Sequence, residues 1–454
     1  MQTHAFPTTA DTVIFARWIV PLAAAPLTAS DDTANQDALE HHALVISEGR
    51  IAAILPAAQA ASIAAEQVFH LTDHALMPGL VNAHGHAAMS LLRGYADDFP
   101  LHSWLNEHIW PAEGKWVSED FVRDGTQLAI AEMLRSGTTC FADMYFFPNI
   151  VAQTAQELSM RAQMYFPIFD FPTAWGQNPD DYIHKGLLLR DDFKHSELIS
   201  VGFGPHAPYT VGDTALRRVA VLAEELDAAI QIHVHETQQE VDDAIAEYGD
   251  RPLARLQRLG LLGPRTTCVH ATALNADDIA LLARNNCHVV HCPESNLKLA
   301  SGFCPVQLLI DANVNVALGS DGAASNNDLD LFAELRTAAL LTKAIAKNAA
   351  ALPARAALEM ATLNGAKALG LDEHIGSLEI GKLADVIAVD MSSIETQPLF
   401  NPLSQLVYTN SGSRVTHSWI GGKLMLENRL PTAINLQDLS ARARDWQHKI
   451  SLNK

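Results

Sequence analysis

Two histidines separated by one glycine, His84 and His86, have the type and spacing to bind a metal ion. They follow the apolar run of residues 77–83. Residues i and i+2 of an extended strand project from the same face, so the two imidazoles can point at a common centre. We expect Gly85, which has no side chain, to allow the close backbone approach that two ligands at a strand end require. Neutral imidazole is the commonest protein ligand for zinc-like ions, but a lone His-x-His motif is weak evidence.

The elements that would position these histidines are visible as alternating strand-like and helical patterns. Such alternation predicts a parallel sheet with helical crossovers. The eight strand-like segments are residues 80–84, 138–144, 161–168, 199–205, 230–236, 266–271, 287–292 and 314–321. Eight strand–helix units predict a closed (β/α)8 barrel of the TIM type, in which catalytic groups lie at the carboxyl ends of the strands.

Polar residues follow or end nearly every one of these segments. Beyond the His-x-His pair they are Asp143, His206, His233, His235, Glu236, His270, His291 and Asp321. An apolar barrel core has no use for such residues, so we expect this rim to be the active site. Three histidines and one aspartate leave room for a water molecule and match the ligands that zinc prefers. The predicted metal ligands are His84, His86, His233 and Asp321. Asp143, His235 and His291 receive no role, since ordinary loop hydrogen bonding explains them equally well.

Both ends of the chain have short β-type patterns instead. Two pairs of runs, each joined by a turn that contains glycine, predict hairpins: residues 43–46 with 51–54, and 418–420 with 423–426. Residues 22–40 have the composition of an exposed loop. We therefore expect residues 1–75 and 373–454 to form a small discontinuous, sandwich-like β-rich domain beside a catalytic barrel of residues 76–372.

Composition limits the kind of partner. The chain has 454 residues, with Lys+Arg 31 against Asp+Glu 52 and a net charge of −21, which argues against nucleic acid and acidic membrane surfaces. Five cysteines without a CxxC spacing favour neither a disulfide framework nor a cysteine zinc site, so we expect a cytoplasmic protein. We find no pattern of a signal peptide or membrane span. The ligand is expected to be a small molecule, and assembly into a homo-oligomer stays open.

An ordered set of motifs carries a resemblance to a known family. The motifs are MPGLVNAHGHAAMSLLRG, GPHAPYT, HVHETQQE, CVHAT, HCPESNLKL, LGSDGAASNN and GSLEIGKLADVIAVD. Together they resemble the amidohydrolase superfamily, in the branch of cytosine, guanine and adenosine-type deaminases and triazine chlorohydrolases. They are most similar to the 5′-methylthioadenosine/S-adenosylhomocysteine deaminases, over essentially the whole chain.

The resemblance implies metal-dependent hydrolytic deamination of the adenine ring in adenosine-type nucleosides. The substrates would be 5′-methylthioadenosine, S-adenosylhomocysteine and adenosine, and the products an inosine-type nucleoside and ammonia. Binuclear relatives carry a bridging lysine on the fourth strand, whereas this strand ends in Gly204-Pro205-His206. One divalent ion is therefore expected, with zinc preferred. Metal coordination lowers the pKa of a bound water from 15.7 toward about 7.

The resemblance also implies roles for individual residues. Glu236 would move the water proton to the ring nitrogen, a task suited to a carboxyl group of raised pKa. His270 would polarise the attacked carbon, and Asp321 would act as both ligand and acceptor for the nucleophile. For substrate binding, Trp104 would pack near the adenine and Glu113 would receive the ribose hydroxyls. His206 would contact the purine nucleoside.

Alternative functions on the same scaffold stay open, because a fold and a metal site do not fix the substrate. They are deamination of guanine or another aminated heterocycle, and triazine-type dechlorination. A non-enzymatic scaffold is disfavoured, because every expected ligand type is present. The loop of residues 104–113 separates the nucleoside hypothesis from the others, since it holds the two residues expected to recognise adenine and ribose.

Overall fold

The computed structural model describes residues 7–23 and 37–452. Most of the predicted loop of residues 22–40 lies outside them; its last residues, Leu39 and Glu40, already belong to a strand. In chain order the strands are β1 (Thr9–Ile19), β2 (Leu39–Ser47), β3 (Arg50–Pro56), β4 (Ala64–Pro78), β5 (Leu80–Asn82), β6 (Thr138–Asp143), β7 (Arg161–Ile168), β8 (Ile199–Pro205), β9 (Ile230–Val234), β10 (Thr266–His270), β11 (His288–His291), β12 (Asn315–Leu318), β13 (Val386–Asp390), β14 (Val415–Ile420), β15 (Lys423–Glu427) and β16 (Leu430–Pro431).

Helices occupy most of the intervening segments. They are α1 (Ala57–Ala60), α2 (Leu101–Ser103), α3 (Trp110–Trp116), α4 (Glu119–Ser136), α5 (Pro148–Glu157), α6 (Pro179–Phe193), α7 (Asp213–Glu225), α8 (Gln238–Tyr248), α9 (Pro252–Leu259), α10 (Ala276–Arg284), α11 (Pro293–Lys298), α12 (Val306–Asp311), α13 (Ala323–Asn326), α14 (Leu331–Ala346), α15 (Ala354–Met360), α16 (Leu363–Ala368), α17 (Pro402–Tyr408) and α18 (Leu436–Ser451). A π-helical turn, Trp104–Ile109, runs directly into α3. Within the two described ranges, no helix combines the length and the apolar character needed to cross a membrane.

Strands β5 to β12 form the barrel, and each pairs in parallel with its neighbour in the chain. The first and last strands meet where the Ala83 N–H donates to the Leu318 carbonyl at 2.9 Å and the Asp321 N–H to the His84 carbonyl at 3.2 Å. All eight predicted strands are found, so the predicted barrel is confirmed. Some strands end earlier than predicted: β5 ends at Asn82 and β9 at Val234. His84, His86, Glu236 and Asp321 therefore stand on the loops that follow the strands. His233 and His270 lie within the last two residues of β9 and β10.

The other eight strands form one continuous sheet in the order β16-β15-β14-β13-β4-β1-β2-β3. The long strand β4 joins the two chain ends, since it pairs in parallel with β1 and antiparallel with β13. Both predicted hairpins are present, as β2–β3 and as β14–β15 across Gly421 and Gly422. The β-rich unit from both chain ends is thus confirmed. Its limits at residues 75/76 and 372/373 stay a prediction.

Helix α4 packs against both the barrel strand β6 and the outer-sheet strands β14 to β16. Ser118 caps its start by accepting the Phe121 N–H, and Gly137 ends it with a φ of +95°, a left-handed conformation that suits glycine. The buried Phe121 ring meets Trp446 of α18 at 5.2 Å between centroids. The Trp446 indole also donates to Asp124 at 2.9 Å. The C-terminal helix is thereby fixed onto α4.

A buried ion pair connects the barrel to the outer sheet. Arg161, the first residue of β7, donates from Nε to Asp385 at 2.9 Å, and both side chains are buried. The other oxygen of Asp385 accepts the Gly421 N–H at 2.7 Å in the β14–β15 turn. Loss of one partner of such a pair costs about 3–5 kcal/mol, because the remaining charge is left buried. The two units are therefore fixed to each other by charge as well as by apolar contact.

Candidate metal and active site

The four predicted metal ligands converge at the carboxyl end of the barrel. The His84 and His86 Nε2 atoms lie 3.5 and 3.2 Å from the same carboxylate oxygen, Oδ1 of Asp321. The His233 Nε2 lies 3.2 Å from the His84 Nε2. His84 is fully buried beneath the cavity floor, while the other three line the cavity. Three imidazole nitrogens and one carboxylate oxygen thus face one small volume.

Each of the three imidazoles is oriented by a hydrogen bond at its Nδ1 atom, so that its Nε2 atom faces the shared volume. Every Nδ1 lies against an oxygen: Gln231 Oε1 for His84 (2.7 Å), the Met144 carbonyl for His86 (2.6 Å) and the His206 carbonyl for His233 (2.7 Å). The Gln231 amide nitrogen donates to the Ala83 carbonyl, so its oxygen must accept. Each Nδ1 therefore donates its N–H. In a neutral ring this leaves the Nε2 lone pair free for a metal, the arrangement found around ligand histidines.

The charges at this cluster favour a cation. Burial lowers the pKa of His84 to about 4 and holds the pKa of His233 well below its usual range, so both rings are neutral. Their two Nε2 lone pairs then face each other at 3.2 Å without a proton between them, a repulsive contact that a cation relieves. Burial also acts to lower the pKa of His86, but the hydrogen bond and charge of Asp321 outweigh it and raise that pKa to about 9. The donor set therefore fits a divalent ion.

Asp321 is held in place by two hydroxyl groups. Its Oδ2 accepts hydrogen bonds from Ser295 at 2.6 Å and Ser325 at 3.0 Å, which leaves Oδ1 to the imidazoles. Its φ of +59° is rare for a residue with a side chain. Such strain is concentrated at functional sites, where surrounding contacts hold the residue in place.

The close approach expected at Gly85 lies at a different glycine. A Cβ added at Gly85 would meet its nearest atom, the Asp321 carbonyl oxygen, at 3.4 Å, which is ordinary contact. A Cβ at Gly319 would lie 2.8 Å from the His84 carbonyl oxygen, which is too close. Gly85 is therefore not required for close backbone approach, and that prediction is wrong. Gly319 is the residue that lets β12 pass close enough to β5 for Asp321 to reach the histidines.

Glu236 and His270 stand beside the cluster. The His270 Nε2 lies 3.7 Å from a carboxylate oxygen of Glu236, while its Nδ1 lies 2.9 Å from the Asn296 amide oxygen. Burial raises the pKa of Glu236 to about 8, so this group can hold or release a proton near neutral pH. The His270 ring nitrogen also lies within 4.8 Å of the ligand atoms of His84 and His233.

A further carboxylate holds the turn that carries Glu236. Glu240, in the first turn of α8, accepts the backbone N–H groups of His235 at 2.9 Å and Glu236 at 2.7 Å. His235 itself lies against the Ala273 carbonyl and accepts the Leu253 N–H, so both ring nitrogens are engaged in the loop. His235 therefore has a structural place, not a catalytic one.

The other two unassigned residues are also buried. Asp143 accepts the Ala87 N–H at 2.6 Å and so fixes the turn that follows His86. The Nδ1 atom of the buried His291 has no hydrogen-bond partner among the described residues. Neither residue lines the cavity.

The predicted substrate-binding residues line the same cavity, whose volume is about 690 Å³ with its open mouth included. Trp104 is buried and donates its indole N–H to the Ala96 carbonyl at 3.1 Å. Glu113, on α3, is 6% exposed, and burial raises its pKa to about 7. The His206 ring stacks on Phe169 with 4.7 Å between centroids. Aromatic side chains that the sequence analysis did not identify complete the wall: Tyr145, Phe146, Phe169 and Tyr209.

Comparison with known proteins gives relatives over nearly the whole chain. Residues 75–425 match the model of the amidohydrolase family. The chain is 53% identical to a 5-methylthioadenosine/S-adenosylhomocysteine deaminase of Teredinibacter turnerae, over 98% of this chain and 99% of the relative. It is 54% identical to a protein of the same name from Saccharophagus degradans, over 98% of each chain.

Solved structures give the same picture. An adenosine deaminase of Xanthomonas campestris with bound zinc is similar to this chain at a TM-score of 0.94 and 49% identity, over 98% of this chain and all of the other. An Arthrobacter aurescens atrazine chlorohydrolase with zinc is 21% identical at a TM-score of 0.87, over 96% and 99%, a likeness of fold alone.

Proposed function

This chain belongs to the amidohydrolase family, and we propose that it deaminates the adenine ring of adenosine-type nucleosides by hydrolysis. The family resemblance carried by the motifs is confirmed, and the chain is a hydrolase acting on C–N bonds. Its substrates are 5′-methylthioadenosine, S-adenosylhomocysteine and adenosine, and its products are the inosine-type nucleoside and ammonia. The observation that carries the proposal is the convergence of three imidazoles and Asp321 beneath a cavity that also contains Glu236 and Glu113.

One divalent ion, with zinc preferred, fits the donors of His84, His86, His233 and Asp321. The donor set supports this proposal. The neutral rings of His84 and His233 each direct an Nε2 lone pair at the centre, and His86 directs there an Nε2 proton that a cation would replace. A bound ion would supply a water molecule of lowered pKa, which is a nucleophile at neutral pH.

Glu236 transfers the proton. A carboxyl group whose pKa is near 8 can accept the proton of the nucleophilic water and deliver it to the ring nitrogen next to the attacked carbon. His270, oriented by Asn296, stands beside Glu236 and polarises that carbon. Asp321 accepts a hydrogen bond from the nucleophile and so sets its direction of attack.

Side chains that line the cavity recognise the nucleoside. Trp104 and the stacked pair of His206 and Phe169 supply flat faces against which a purine packs. The carboxylate of Glu113 can accept both ribose hydroxyls at once. A free base such as guanine would leave this buried carboxylate with the Tyr145 hydroxyl beside it and no ribose hydroxyls to accept, which favours a nucleoside over the alternative substrates.

A parallel ultraviolet assay of the zinc-loaded enzyme tests the proposal. Adenosine, 5′-methylthioadenosine, S-adenosylhomocysteine, guanine and a chlorotriazine are compared under identical conditions. We expect the inosine-type spectral shift with at least one adenine nucleoside, and no turnover of guanine or the triazine. Preferred turnover of guanine or the triazine would overturn the proposal. The cytoplasmic location and a homo-oligomeric state stay predictions.

A further inference from the structure

A second cavity opens beside the active-site cavity and shares part of its wall. The residues that line both are Leu101, Leu105, Trp110, Tyr209 and Leu299. The outer cavity has a volume of about 1350 Å³, counting the part open to solvent, and one side of it is a face of α8. A molecule bound in the inner cavity can therefore extend into the outer one.

The proposed binding mode directs the 5′ end of a nucleoside into this outer cavity. The adenine C6 must lie on the cavity floor near Asp321, and the ribose hydroxyls at Glu113. Trp110 lies one helical turn before Glu113 on α3 and lines both cavities. The 5′ carbon, on the side of the ribose away from the floor, then faces the junction between Trp110 and Tyr209.

Positive charge is scarce along this path. No lysine or arginine lines the inner cavity among the described residues, and Arg255 is the one such residue described in the wall of the outer cavity. Arg255 is 1% exposed, and its Nε donates to Asp213 at 2.8 Å. Its terminal nitrogens donate to the Pro208 and Val211 carbonyls, and its guanidinium lies 3.9 Å from the centre of the Tyr248 ring. Arg255 is therefore already paired and covered.

Negative charge faces the outer cavity instead. Asp243 and Glu247 are exposed and stand four residues apart, on the face of α8 that lines the cavity. They attract an ammonium group and repel a carboxylate. A carboxylate that enters the cavity would lose water, and the described lining residues offer it no free lysine or arginine.

We propose that the active site discriminates by the charge of the 5′ substituent and disfavours nucleosides that carry a carboxylate there. This inference rests on the proposed function and narrows its substrate class. The methylthio group of 5′-methylthioadenosine suits the apolar junction, and an aminoalkylthio group suits the acidic outer cavity. The zwitterionic homocysteine moiety of S-adenosylhomocysteine brings the same ammonium together with a carboxylate that the site does not match.

Three substrates separate the effect of the 5′ carboxylate on kcat/KM from that of the rest of the nucleoside. They are 5′-methylthioadenosine, S-adenosylhomocysteine, and 5′-deoxy-5′-(3-aminopropylthio)adenosine, which is S-adenosylhomocysteine without its carboxylate. All share the adenine, the ribose and the thioether, so the chemical step is the same. We expect kcat/KM of the zinc-loaded enzyme for the aminopropyl compound to exceed that for S-adenosylhomocysteine by about 10- to 100-fold, the effect of one unmatched charged group.

Two variants test whether the outer cavity causes the difference. The double variant Asp243→Asn with Glu247→Gln should lower the preference for the aminopropyl compound over S-adenosylhomocysteine at least threefold. Asp243→Lys, which adds the missing cation, should lower it further. The control is Asp192→Asn with Glu225→Gln, two exposed acids at the ends of α6 and α7 on the opposite rim of the barrel. It removes the same charge and should leave the preference unchanged.

The outcomes separate this inference from the proposed function. If the parent enzyme prefers the aminopropyl compound by less than tenfold, or if the control changes the preference as much as the cavity variants, the inference is wrong while the deaminase assignment stands. If none of the three nucleosides is deaminated, the proposed function fails as well.

Discussion

The variant Glu113→Ala tests whether the substrate is a nucleoside. Glu113 is 6% exposed in the cavity wall, where an ionised carboxylate can accept the 2′ and 3′ hydroxyls of a ribose. Hydrogen bonds to a charged group contribute about 1.5–3 kcal/mol each, so two of them are worth about 3–6 kcal/mol before water fills the space. We expect a loss on the order of 10²-fold or more in kcat/KM for 5′-methylthioadenosine.

The assay compares 5′-methylthioadenosine with its 2′,3′-dideoxy analogue. The two share the adenine and the 5′ group, so the ratio of their kcat/KM values cancels effects on folding, metal content and the chemical step. The ratio should be large for the parent enzyme. It should fall to near one for Glu113→Ala, because neither substrate then has a carboxylate partner.

The same ratio should depend on pH. Burial raises the pKa of Glu113 to about 7, so the ionised fraction rises from about 0.1 at pH 6 to about 0.9 at pH 8. The parent's ratio should therefore rise about tenfold over this range, and the variant's ratio should stay flat. Groups that serve both substrates, such as Glu236, cancel. If Glu113→Ala handles 5′-methylthioadenosine within about threefold of the parent, or loses both substrates equally, the ribose role is refuted and the nucleoside assignment weakens.

Three further predictions concern the metal, the proton shuttle and the junction between barrel and outer sheet. Elemental analysis of the metal-replete protein should find one divalent ion per chain, and two equivalents would contradict the ligand assignment. His233→Ala or Asp321→Ala should remove both metal and activity. Circular dichroism should still show a folded chain for either variant. Glu236→Gln should keep the metal but lose about 10²- to 10⁴-fold or more in kcat, since an amide of similar volume cannot transfer protons; a near-normal kcat would transfer that role to His270 or to water. Asp385→Ala should lower the free energy of unfolding in urea by about 3–5 kcal/mol, because it leaves Arg161 buried without its partner, and a change below 1 kcal/mol would show that the pair contributes little.

The barrel and its metal ligands could be predicted because both leave local signals. Each barrel strand is a short apolar run, and the side chain that ends it falls at the same rim as its neighbours'. His84, His86, His233 and Asp321 therefore form a set as soon as the strands are identified. Their convergence within 3.2–3.5 Å in the structure follows from the parallel order of the strands.

The residues that orient the ligands leave no such signal. Gln231 holds the ring of His84 across 147 residues of sequence, and nothing in the local pattern of β9 distinguishes it from an ordinary polar residue. Asn296 and Ser325 lie within the quoted motifs, yet their partners become visible only when loops from different strands meet. The requirement for glycine at position 319 has no local signal either, because a Cβ there would collide with the His84 carbonyl oxygen on the segment that follows β5.

The wall of the nucleoside cavity depends on a local departure from regular helix. Trp104 and Glu113 are nine residues apart, and at about 100° per residue a regular α-helix would place them on opposite faces. Both line the cavity, because the segment begins with a π-helical turn in which the Trp110 N–H donates to the Leu105 carbonyl, five residues back. Such a turn holds about one extra residue, which rotates everything after it by about 100°. Pro111 has no N–H to continue the regular ladder, and its ring crowds the carbonyl four residues back, which favours the wider turn. The irregular segment thus brings the two residues expected to recognise adenine and ribose to one cavity, a result that helical periodicity alone would exclude.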